Sequence, residues 1–177
     1  MKTIFVSLIV AVSLFSGASL PSARASNCPA EGFVQDAASA FSSAARRGSP
    51  EAFAIAAARF ADLRGLALFA LGPYRQDLPP AMERKYVNLA RSFMGRFMAQ
   101  NASSLSGGQL TITSCSGNMV SARFGSGTVI FRLSGAYRIE DVTVSGISIA
   151  QALRNRFTGV IRNNDGDINA LMSYLAK

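Results

Sequence analysis

Histidine and tryptophan are absent from this 177-residue chain, and only two cysteines occur. Without histidine the commonest general base is missing, and Ser-His and Cys-His nucleophile pairs are excluded. Two cysteines and scattered carboxylates do not make a metal site. The acidic residues number only ten. Glu140 and Asp141 are neighbours in an expected strand, so they point to opposite faces and do not share a substrate easily. Asp165 and Asp167 fall in a turn, where Asp serves as a cap. Gly107-Gly108 and Gly125-Ser126-Gly127 read as hairpin glycines, because neither pair of flanks is the strand and helix of a phosphate loop. The chain therefore reads as a non-enzyme with no cofactor.

Long apolar runs are also missing beyond the first residues. Lys2, the apolar stretch Ile4 to Phe15 and Ala23-Arg24-Ala25 form an export signal over residues 1–25, with the exported chain expected to start near Ser26. The apolar run is about twelve residues, short for a bilayer span. The formal net charge is +8, and cleavage removes Lys2 and Arg24 from it. The remaining basic residues are spread out, with no Arg/Lys-rich tail or interleaved aromatics, so no nucleic-acid partner is expected. In an oxidising compartment, Cys28 and Cys115 suggest one disulfide. Closing a loop of nearly 90 residues would stabilise the fold by about 4–5 kcal/mol in the chain-entropy model.

What is present is helical periodicity in the first half. Phe33, Ala37, Phe41 and Ala44 recur at helical spacing, and Gly48 can stop that helix. Ser49-Pro50-Glu51 restarts one, with Phe53, Ala56, Ala57 and Phe60 on its apolar face. Leu63 to Leu71 is short and almost wholly apolar, and Gly72-Pro73 ends it. Pro79-Pro80 opens the longest helix, running to about Asn101. Its stripe of Met82, Tyr86, Leu89, Phe93 and Phe97 suits core packing or a pliable pocket wall.

From Gln109 the period changes to two. Leu110/Ile112, Val120/Ala122/Phe124, Val129/Phe131/Leu133 and Tyr137 to Val144 predict four short strands joined by tight turns. Ile149, Leu153, Phe157, Val160 and Ile161 form a helical stripe after them, and Asp167 can cap a last helix carrying Ile168, Leu171, Met172 and Leu175. The expected fold class is α+β: a curved antiparallel sheet of about four strands against several helices, in one domain over 26–177, with an apolar cavity between the layers.

One joint breaks the pattern. In YRIEDVTVSGISI, Tyr137 to Ile149, the alternation changes parity across Glu140 and Asp141. A β-bulge there would re-aim the side chains. Gly146 allows a tight exit, and Ser148 can cap the following helix. Asp141 is expected to pair with an arginine, Arg154 being the candidate.

Tyr137-Arg138-Ile139-Glu140-Asp141-Val142, then Gly146-Ile147-Ser148-Ile149, then Arg154 and Phe157, resembles the C-terminal signature of the MlaC-type periplasmic phospholipid-binding proteins, also called the toluene-tolerance auxiliary component family. Gly166-Asp167-Ile168 with Leu171 and Leu175 resembles the closing helix of that family, and Leu71-Gly72-Pro73-Tyr74 its Leu-Gly-x-Tyr segment. The chain departs from the pattern at Tyr137, where members usually carry Trp, and at Ser145, often Glu. The resemblance implies a periplasmic phospholipid carrier. Its implied partners are an outer-membrane lipoprotein-porin complex and an inner-membrane ABC transporter with an Mce-type lipid-binding ring protein. The residues it nominates for a lipid pocket are Leu71, Tyr74, Phe93, Phe97, Phe124, Val129, Phe131, Val142 and Ile147, with Arg75 and Arg132 for a headgroup phosphate. The competing expectations are a carrier of another hydrophobic molecule, hopanoid-like, and a non-lipid interaction module.

Overall fold

The computed structural model describes residues 28–103 and 108–177. The export signal expected over 1–25 and the glycine at 107 lie outside the described residues. Helix α1 (Glu31–Arg47) ends at Gly48, whose φ of 59° is the left-handed turn that glycine adopts without strain. Ser49 then caps α2 (Pro50–Phe60): its hydroxyl accepts the Ala52 amide, and Pro50 fills the first turn. Asp62 caps α3 (Leu63–Ala70) through the Gly65 amide. A 3-10 segment (Gly72–Asp77) leads to α4 (Pro80–Gln100). Helix α2 lies against α4 at small residues. A side chain added at Gly95 would run into the Pro50 carbonyl and Ala54.

The sheet is an antiparallel meander in the order β1-β2-β3-β4-β5: β1 (Leu110–Ser116), β2 (Met119–Phe124), β3 (Gly127–Leu133), β4 (Ile139–Val144) and the two-residue β5 (Ile147–Ser148). The α+β reading holds, and the fifth strand is an addition that period-two counting cannot detect in two residues. Helix α5 (Ile149–Arg162) follows β5 directly, and α6 (Ile168–Ala176) is capped by Asp167 through the Asn169 amide.

The β4 bulge is present. Arg132 pairs with Asp141 but Leu133 pairs with Ile139, leaving Glu140 as the extra residue. That insertion keeps both Ile139 and Val142 among the apolar residues under the sheet, although three positions separate them. Arg138 turns the joint into a clamp on α2. Its guanidinium donates to the carbonyls of Ala58, Arg59 and Ala61, at 3.0, 2.5 and 3.0 Å. These are orphan acceptors of the helix C-terminus, where a cation is also favoured by the dipole. The Asp62 amide donates to the Ile139 carbonyl at 2.9 Å, so the helical layer is stitched to β4 through backbone as well.

Cys28 and Cys115 form the disulfide expected of them, with Cα atoms 5.6 Å apart. It fastens the chain just before α1 to β1.

Candidate functional site

Among the described residues the apolar interior has a sheet side, a helix side and a smaller cluster of Ala44, Ala45 and Phe53 where α1, α2 and α4 meet. On the sheet side, Val120, Ala122, Val129, Phe131, Leu133 and Ile139 face Ala30, Val34 and Ala37 of the α1 region and Phe60 and Ala61 at the end of α2. Phe33 joins them, edge-on to Phe60 at 5.6 Å and stacked on Tyr137 at 6.1 Å. On the helix side, α3, α4, α5 and α6 bury Leu71, Tyr86, Phe157, Ile161, Leu171 and Leu175 among themselves. Helix α3 belongs to both, with Leu66 on the sheet side and Ala67 and Leu68 on the other.

The residues nominated for the pocket are split between the sheet side, the helix side and the surface. Phe124, Val129, Phe131 and Val142 lie together under the sheet. Leu71, Tyr74 and Phe93 lie together on the helix side. Phe97 and Ile147 are surface residues, 42% and 64% exposed. Arg75 is exposed in the 3-10 segment. Arg132 is exposed on β3, with its Nε 3.7 Å from Glu140. The opposite wall of the sheet-side region comes from Val34, Ala37, Phe60 and Ala61. From sequence alone these helices show only an apolar packing face. The Phe33/Ala37 periodicity was the available signal for them.

The expected Asp141–Arg154 pair does not form. Asp141 is buried and satisfied by the start of α5. Its Oδ1 accepts the amides of Val142 and Ala150, at 2.8 and 2.9 Å, and its Oδ2 accepts the Ser148 hydroxyl at 2.6 Å. A helix N-terminus supplies both amide donors and positive dipole, so it competes well with an arginine for a carboxylate. Arg154 instead lies over the Phe69 ring at 5.0 Å. It also approaches Gly72, where a Cβ would come within 3.0 Å of its Nε. The Leu-Gly-Pro-Tyr turn is thereby packed on α5.

A separate groove of about 230 Å³ opens between the ends of α4, α5 and α6. Phe93, Phe97 and Tyr174 line it together with Arg96, Gln100, Arg156 and Lys177. It contains two of the nominated aromatics, Phe93 and Phe97, in a more basic setting than sequence reading gave them. Among the described residues, no group of three or more His, Cys, Asp or Glu side chains could hold a metal, and no helix is long and apolar enough to cross a membrane.

The fold is that of a solved phospholipid-binding protein from Ralstonia solanacearum, determined in complex with a phospholipid: TM-score 0.65 at 15% identity, covering 82% of this chain and 94% of that one. The MlaC protein family model matches residues 42–177, and the chain belongs to that family. A comparison with curated proteins gives no match.

Proposed function

We propose that the protein is a periplasmic phospholipid carrier that moves lipid between outer-membrane and inner-membrane assemblies without catalysing a reaction. The observation that carries this reading is the division of the apolar interior, combined with membership of the MlaC family. Acyl tails would enter on the sheet side, where Val129, Phe131 and Phe124 face Val34, Ala37 and Phe60. Each methylene transferred there from water gains about 0.8 kcal/mol, so two chains bind strongly without specific polar chemistry.

The layer contacts favour such opening. The helices approach the sheet most closely along β4, through α3 and α5. Arg138, the Asp62–Ile139 bond and the Asp141 cap all act at that same strand. The disulfide adds a fastening between the start of α1 and β1. Between these two seams, the described residues of the middle strands that face the helices are the apolar Val120, Ala122, Val129 and Phe131, whose packing a lipid tail can replace. The phospholipid bound to the Ralstonia protein supports this choice of ligand class.

The test is to purify the exported protein without detergent and identify what it carries by mass spectrometry. Co-purifying phospholipid, or uptake of it from vesicles, is the expected result. Neither one being observed would rule the proposal out.

A further inference from the structure

The groove between α4, α5 and α6 has a built polar wall that core packing does not require. Arg156 is held by its Nε, which donates to the Tyr174 hydroxyl at 2.5 Å. Its guanidinium also lies 5.8 Å from the Phe93 ring centroid and 5.6 Å from that of Tyr174. Arg96 is held from the other side, donating through one terminal nitrogen to the Leu175 carbonyl at 2.5 Å. Lys177 completes the wall, and no acidic side chain lines the groove. The two ion pairs among the described residues, Arg64–Glu83 and Arg132–Glu140, lie elsewhere.

Each arginine is thus fixed by one hydrogen bond while the rest of its donor fork is left over. Guanidinium forks match phosphate oxygens in geometry as well as charge. The ordering entropy of long side chains has been spent in the fold, which favours a ligand that completes the site. The remaining wall is apolar, with Phe93 stacked on Phe97 at 6.5 Å and tilted against Tyr174 at 5.6 Å. Phe97 is 42% exposed.

We infer that this groove binds a phosphate ester bearing an apolar substituent, with Arg96, Arg156 and Lys177 on the phosphate and Phe93 and Phe97 against the apolar part. The site is separate from the sheet-side region and does not rest on the carrier reading. A single lipid molecule and the headgroups of an anionic bilayer present the same chemistry.

The experiment titrates the full chain with short-chain phosphatidylglycerol below its micelle concentration, following the Arg96 and Arg156 Nε–H and Tyr174 ring resonances. Inorganic phosphate is titrated in parallel. Expected are saturable shifts with the lipid and much weaker ones with phosphate alone. Removing one charge-assisted contact, as in R156Q or K177Q, weakens binding about tenfold. Q100E places a carboxylate in the groove while removing none of the arginine contacts, and weakens it similarly. Co-sedimentation with phosphatidylglycerol vesicles but not phosphatidylcholine vesicles would support the bilayer as source, and binding of the monomer alone would support a single lipid. The inference is overturned by an absence of shifts, by equal binding of inorganic phosphate, or by Q100E binding like the parent. Uptake of long-chain lipid by Q100E should be unchanged. Its loss would overturn the separateness of the site, whereas a parent protein that takes up no lipid bears on the carrier proposal alone.

Discussion

Ser148 and Asp141 hold each other across the turn from β4 to α5. The Ser148 hydroxyl donates to Asp141 Oδ2 at 2.6 Å, and its oxygen accepts the Gln151 amide at 3.1 Å. One residue of the sheet and one of the helix cap are therefore a single unit, with the Ala150 amide closing it on Oδ1. Asp141→Ala leaves two buried or half-buried amides without their acceptor. It should cost about 2–3 kcal/mol in urea unfolding, and Ser148→Ala about 1 kcal/mol. The double variant should cost less than the sum, because the two side chains share one network.

Arg138 reaches three carbonyls at the end of α2 with one planar group. Arg138→Lys keeps the charge but not the fork, so it should recover little of the loss in Arg138→Ala, about 2 kcal/mol for the latter. Urea midpoints of the three proteins check this. A lysine variant as stable as the parent would reduce the residue's role to its charge.

Tyr86 is fully buried in α4 and donates its hydroxyl to the Ala67 carbonyl at 2.6 Å. Burial raises its pKa well above the ordinary value. An ordinary tyrosine titrates near pH ~10. Below that, folded and unfolded chains both keep the proton, and the contribution of Tyr86 is complete. Above it the unfolded chain loses the proton first, so stability falls as pH rises. The chain has four tyrosines and no tryptophan, so phenolate absorbance reads them cleanly. One tyrosine should ionise only with unfolding, and Tyr86→Phe should remove that step.

Reducing the Cys28–Cys115 bond should lower stability by about 2–4 kcal/mol, since it closes a separation of 87 residues. Denaturation of the double serine variant measures this against the oxidised parent. The far-ultraviolet spectrum should be unchanged, because the helices and strands carry their own caps and ladders.

Much of the architecture was legible because the chain marks it locally. Ser49, Ser148 and Asp167 are caps that sequence alone identifies, and the structure supplies each with its amide donor. The parity break at Glu140 predicted a bulge because side-chain alternation leaves no other local solution. Less legible was what each side chain meets across the fold. Asp141 meets the Ala150 amide of α5, the Ser148 hydroxyl and the neighbouring Val142 amide instead of Arg154, since a carboxylate's partner depends on which donors the turn delivers first. Phe93 and Phe131 both look like pocket aromatics in sequence, but opposite sides of α3 separate their surroundings. The basic groove was invisible, as Arg96 on α4, Arg156 on α5 and Lys177 just past α6 come from separate stretches of sequence. Tyr137 and Ser145, the two departures from the family signature, both adopt positive φ, 50° and 49°, at turns. That conformation was not readable from their residue types.

The central claim is that lipid tails occupy the sheet-side region. Loading the protein with a phospholipid carrying a photoreactive acyl chain, irradiating it and mapping the labelled peptides tests that claim most directly. Labels should fall on the segments holding Phe124, Val129 and Phe131 and on those holding Val34 and Phe60. Labels confined to the α4–α6 surface, or protein that stays unlabelled after loading, would contradict it.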